Sequence, residues 1–107
     1  MSIENLDKSK EKYQTVNALT EVTDEVVIPN GETWIITKMY GNAGFSDVTT
    51  SSIYFDTTLL FTTHGDFIKE EYTEVIGNGS KKIKISINNQ SLIAQTMGAG
   101  YVSRKKI

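Results

Sequence analysis

Cysteine is missing from this 107-residue chain, which excludes disulfides and thiolate metal sites. Stability must then come from packing or from assembly with other chains. Histidine occurs once, at position 64. A structural metal site usually takes about four protein ligands and a catalytic one about three, so His64-Gly65-Asp66 reads as a turn and not as a metal or general-base site. No apolar run approaches the ~20 residues that cross a bilayer, and no membrane partner is expected. Residues 1–8 hold no apolar stretch behind a basic segment, so synthesis in a cytosol is expected, without a secretory leader. The formal charge is −2, the isoelectric point is near 5.3 and no basic stripe is present, which argues against nucleic acid as a partner.

Catalytic grammar is equally sparse. No Gly-x-Ser-x-Gly elbow, Walker loop or dinucleotide glycine pattern occurs. Glycoside hydrolysis needs two converging carboxylates. The acidic clusters here, Asp24-Glu25 and Glu70-Glu71, are sequence neighbours, which point to opposite faces of a strand. The chain is read as no enzyme, with no cofactor and no metal. The patterns Asn78-Gly79-Ser80 and Asn89-Gln90-Ser91 match glycosylation acceptors but carry weight only with a secretion route.

What is present is strand-and-turn grammar. Val26-Val27-Ile28 is a β-branched run ended by Pro29, which has no N–H for a sheet ladder. Asn30-Gly31 supplies the positive φ of a tight turn. Residues 33–40 return as a strand that carries the single tryptophan, Trp34. Further strands are expected over 13–16, 21–28, 49–55 and 59–63. Val22, Val26 and Ile28 share one side of 21–28 with Asp24 as an intruder, which suits an edge strand. Residues 81–89 are the cleanest strand: Ile83, Ile85 and Ile87 point one way, Lys82, Lys84 and Ser86 the other, and a one-residue slip would expose all three isoleucines. The chain turns at 89–91 and goes back over 92–97, with a bend or bulge expected at Gly98-Ala99-Gly100 before Tyr101-Val102. Residues 67–76 fit a helical face and a strand face alike; a ten-residue span between turn signals in a β context favours strand.

Seven or eight short strands at intervals of roughly 8–12 residues predict an all-β fold, an antiparallel β-sandwich of jelly-roll-like form. Residues 1–12 read as a polar arm, mobile or ordered on a neighbouring subunit, and 13–107 as one sandwich domain. Trp34, Tyr40, Tyr54 and Tyr101, with Tyr72, are candidates for a sugar-stacking or partner-contact platform, although Ile35 and Ile36 beside Trp34 favour a core position for it. Arg104, Lys105 and Lys106 read as a solvated tail or as an assembly lash onto an acidic surface.

Three blocks together carry a resemblance: Val-Ile-Pro-Asn-Gly-Glu-Thr-Trp-Ile-Ile at 27–36, Leu-Leu-Phe-Thr-Thr-His-Gly-Asp at 59–66, and Gly-Asn-Gly-Ser-Lys-Lys-Ile-Lys-Ile-Ser-Ile-Asn-Asn-Gln-Ser at 77–91. Across 25–102 the chain resembles small β-sandwich virion proteins of tailed bacteriophages. The resemblance implies a non-enzymatic structural component of a phage particle, a capsid decoration or vertex protein or a head–tail or tail accessory. Made in the host cytoplasm and resident in the virion, it would bind other virion proteins and copies of itself. The alternative is a carbohydrate- or receptor-binding module whose partner is a glycan.

Overall fold

The computed structural model describes residues 6–43 and 47–107. They form nine strands and no helix: β1 (Lys10–Val16), β2 (Thr20–Val27), β3 (Thr33–Asn42), β4 (Thr49–Phe55), β5 (Thr58–Thr63), β6 (Phe67–Lys69), β7 (Thr73–Ile76), β8 (Lys82–Asn89) and β9 (Gln95–Lys105). One sheet runs β1-β9-β3-β6, with β7 also on β3; the other runs β2-β8-β4-β5, and every pairing is antiparallel. Strands β6 and β7 pair with the same edge of β3, so they are two halves of one strand position. With that position counted once, eight strands are shared between two four-membered sheets, and each connection but β4–β5 crosses from one to the other. This is the double Greek key of a jelly roll.

The connectivity corrects one local reading. The turn at Asn30-Gly31 is real, with Gly31 at φ +83°. It does not close a hairpin, because β2 pairs with β8 while β3 pairs with β9 and β7. It is an arch from one sheet to the other, and so is the turn at 78–80. Among the described residues the one hairpin of adjacent strands is β4–β5, where Asp56 takes φ +54°. Turn chemistry fixes where the chain reverses, while the sheet each arm joins depends on what its apolar face meets.

The core fills the space between the sheets. Ile83, Ile85 and Ile87 are buried from β8, Ile53 from β4 and Phe61 from β5. Trp34, Ile36 and Met39 meet them from β3, and Met97, Ala99 and Tyr101 from β9. The Asp24 intruder is explained: β2 is an edge, and Asp24 reaches the Lys10 ammonium of β1 at 3.4 Å across the seam between the sheets. An inward charge on an edge strand also discourages a foreign strand from pairing there.

Three further expectations change. Residues 6–12 are no loose arm. Lys10 pairs with Tyr101, the Lys8 N–H donates to the Ser103 carbonyl at 2.9 Å, and Asp7 bridges to Arg104. The chain's own β9 supplies this edge; the first five residues of that arm lie outside the described residues. The basic run is no free tail either. Arg104 and Lys105 close β9, the Lys106 N–H donates to the Thr33 carbonyl at 2.7 Å, and its ammonium lies 3.0 Å from Glu74. Nor do residues 98–100 bulge the strand: the ladders of β9 with β1 and β3 pass through them without a register shift. The register shift falls in β3, between Ile36 and Lys38, opposite the break between β6 and β7.

Candidate binding face

The register places two rows of side chains on the outer face of the β1-β9-β3-β6 sheet. Glu11 of β1, Gly100 of β9, Tyr40 of β3 and Ile68 of β6 stand abreast. Beside them stand Tyr13, Gly98 and Asn42. Neighbouring strands lie about 4.8 Å apart, so a strand without side chains at two outward positions leaves a trough that its neighbours' long side chains can span. The tyrosines do so. A Cβ on Gly98 would run into the Tyr13 ring, and one on Gly100 would lie 2.5 Å from the Tyr40 hydroxyl oxygen. The two glycines are therefore there for close approach of the rings, which the expected bend does not explain.

Tyr40 reaches across Gly100 and donates its hydroxyl to Glu11 Oε2 at 2.5 Å. Burial first, and then this hydrogen bond, push the Tyr40 hydroxyl up to about 12, so it is a protonated donor at neutral pH. Tyr13 remains 58% exposed above Gly98, with its ring available to solvent. Glu11, Tyr13, Tyr40, Asn42, Asp66 and Ile68 enclose a groove of about 440 Å³ over this floor, a volume within the range of ligand sites.

The other candidate residues fall elsewhere. Trp34 and Tyr101 are only 4% and 1% exposed, packed between the sheets, and cannot be a stacking platform. Trp34 is anchored by donating from Nε1 to Glu32 Oε1 at 3.0 Å. Tyr54 is on the outer face of the opposite sheet, with the Lys84 ammonium 4.7 Å from its ring centre. Tyr72 is exposed in the break between β6 and β7, near Lys38. Of the four principal candidates, Tyr40 alone lines the groove. Its partners Tyr13 and Glu11 are missed in sequence because they fall in or beside the supposed arm. The signal for them is the Gly-x-Gly spacing inside a strand, which asks for a neighbour's ring above it.

His64 sits in the turn after β5, its Nδ1 3.0 Å from the Thr49 carbonyl and 3.3 Å from Thr50 Oγ1. A carbonyl can only accept, so Nδ1 carries the proton. No group of three metal-ligating side chains occurs among the described residues.

A second surface lies at the end of the sandwich that carries the β1–β2, β3–β4 and β8–β9 connections. Leu19, Val48, Leu92 and Ile93 are 61%, 47%, 84% and 66% exposed there. Asn89, fully buried, holds these loops together. Its Nδ2 donates to the carbonyls of Val16, Asn17 and Ile93, and its Oδ1 accepts from the Ser91 N–H and hydroxyl. The Leu19 N–H donates to the Ser91 carbonyl and the Gln90 N–H to the Val48 carbonyl. The apolar tips are thus fixed in place by polar ties beneath them. The buried Asn89 amide is also unavailable for glycosylation.

No family model and no curated protein matches the chain. Among solved structures it is similar to a chain of dimeric latent PorU from Porphyromonas gingivalis, at 9% identity and a TM-score of 0.39. The match covers 95% of this chain and 13% of that one, so the chain spans about an eighth of that protein's length. A likeness at this level carries no functional argument.

Proposed function

We propose that this jelly roll is a non-enzymatic structural component of a tailed-phage particle that works by protein–protein contact through its loop end. The observation that carries the reading is the set of four large apolar side chains, Leu19, Val48, Leu92 and Ile93, held outward on loops that Asn89 fixes from below. Apolar tips so exposed, on a support so fully hydrogen-bonded, suit a preformed contact surface. The sequence resemblance supplies the particle; the structure supplies the surface. The partner is another virion protein or a second copy of the chain.

Light scattering after size-exclusion chromatography, together with cosedimentation with particles of the phage that encodes the chain, tests this. Self-association or capture by the particles is expected, with loss of either in a Leu92→Ser/Ile93→Ser variant. A strict monomer that ignores the particles would refute the reading.

A further inference from the structure

We propose that the groove on the outer face of the β1-β9-β3-β6 sheet is a binding site for an uncharged sugar residue of a glycan. This goes beyond the assembly role and uses a different surface: the groove lies on the face of one sheet, and the loop end caps the strands.

The chemistry of the lining chooses the ligand. Tyr13 offers an exposed ring above Gly98 and beside an apolar wall of Ile68. A pyranose has an apolar face of C–H groups that stacks on such a ring and a rim of hydroxyls that needs partners. The partners are at hand. Glu11 has one oxygen taken by Tyr40 and keeps Oε1 to accept from a hydroxyl. Asp66 supplies a second carboxylate on the lining. Tyr40, locked by its bond to Glu11, fixes that carboxylate without waiting for the ligand, so little ordering remains to be done on binding.

The same lining excludes other occupants. Among the described residues no lysine or arginine lines the groove, and two carboxylates do, so phosphate, sulfate or sialic acid would meet negative charge. The outer face of the opposite sheet is lined differently. It carries Ser52 and Thr62, hydrogen-bonded to each other at 3.0 Å, and Ser86, which donates to Glu21 at 2.7 Å.

The test uses the full chain on an array of neutral glucans, mannans and galactans beside sialylated and sulfated glycans. Titration and amide chemical-shift mapping follow with whichever neutral oligosaccharide is retained. Retention of at least one neutral glycan is expected, with shifts at Tyr13, Asn42, Gly98 and Gly100. Tyr13→Ala should weaken binding by about tenfold or more, the factor that about 1.4 kcal/mol of stacking represents. Glu11→Gln should also weaken it, and Tyr54→Ala, on the other sheet, should leave it unchanged. An array with no neutral glycan retained, a preference for acidic glycans, or shifts confined to the loop end would overturn the proposal. The mapping on the unmodified chain decides the matter even if a variant fails to fold.

Discussion

Replacing Asn89 tests the claim that one buried amide holds the loop end in place. The side chain takes part in five hydrogen bonds, with donor–acceptor distances from 2.6 to 3.3 Å. Its two amide hydrogens serve three carbonyls, and the bond to Asn17, at 3.3 Å, is the weakest. Four full bonds at a net value of about 1 kcal/mol each give ~4 kcal/mol. Asn17, Ile93 and Ser91 are not fully buried, so water can reach them once the side chain is gone. Asn89→Ala should therefore cost ~3 kcal/mol, a large part of the roughly 5–15 kcal/mol that holds a domain of this size. Urea unfolding followed by the fluorescence of the single Trp34 measures it.

Asn89→Asp gives the sharper result. The oxygen that accepts from Ser91 is kept, while the new oxygen faces the carbonyls of Val16, Asn17 and Ile93. Burial and carbonyl repulsion raise the folded-state pKa of that carboxyl above its unfolded value. A raised folded pKa gives stability that is present below the unfolded pKa and lost as pH rises through the folded one. The deficit relative to the native chain should thus be least near pH 4 and should grow towards pH 7. An alanine variant that loses less than about 1 kcal/mol, or an aspartate deficit flat across that range, would refute the account.

Three further outcomes follow from buried or crossed hydroxyls. Tyr101 is 1% exposed, and its hydroxyl has no hydrogen-bond partner among the described residues, so Tyr101→Phe should be neutral or stabilise the fold by up to about 1 kcal/mol in the same urea assay. The Tyr40 hydroxyl is pushed up to about 12, so its stabilising contribution is complete below the unfolded tyrosine value near 10 and falls away between the two; Tyr40→Phe should flatten the alkaline loss of stability across that window in thermal melts. Gly100→Ala puts a methyl group 2.5 Å from the Tyr40 hydroxyl oxygen and 2.9 Å from the Lys10 carbonyl oxygen, which should cost about 1–3 kcal/mol and release Tyr40 from Glu11, seen as a downward move of its spectroscopic titration.

The parts of the fold legible in the sequence are those that period and turn chemistry decide locally. The alternation of Ile83, Ile85 and Ile87 fixes β8, and the β-branched and aromatic runs fix β3 and β4. Partnership is not local. Nothing in 10–12 says that Lys10 finds Tyr101, some ninety residues on, so half of β1 reads as an arm. Leu92 and Ile93 look like the start of a strand by composition, yet they are exposed loop residues, because Asn89 and Ser91 claim the local backbone groups. The binding face is hidden for the same reason. Tyrosine counts point to Trp34 and Tyr101, whose inward parity in β3 and β9 appears only when the register is known, while the exposed ring of Tyr13 depends on Gly98 in the last strand, far along the sequence.

The edges of the sandwich narrow how such a domain can join others. Strand addition needs an edge whose backbone groups are open along several residues. At β2 the side chains of Glu21, Asp24 and Glu25 line the edge, with Asp24 turned to Lys10 and Glu25 3.1 Å from Lys82. On the far edge of the same sheet as β1, the strand position beside β3 is split into pieces of three and four residues by the break opposite the β3 bulge. At these two edges the features shorten or charge the available ladder, so an incoming strand there gains few hydrogen bonds or meets a row of carboxylates. Contact through the loop end carries neither penalty: its backbone groups are tied internally through Asn89, Ser91 and Gln90, and the large apolar side chains Leu19, Val48, Leu92 and Ile93 face outward. Substitutions that charge the Leu92–Ile93 tip should therefore weaken association far more than prolines placed at the solvent side of β2, a comparison that light scattering makes directly.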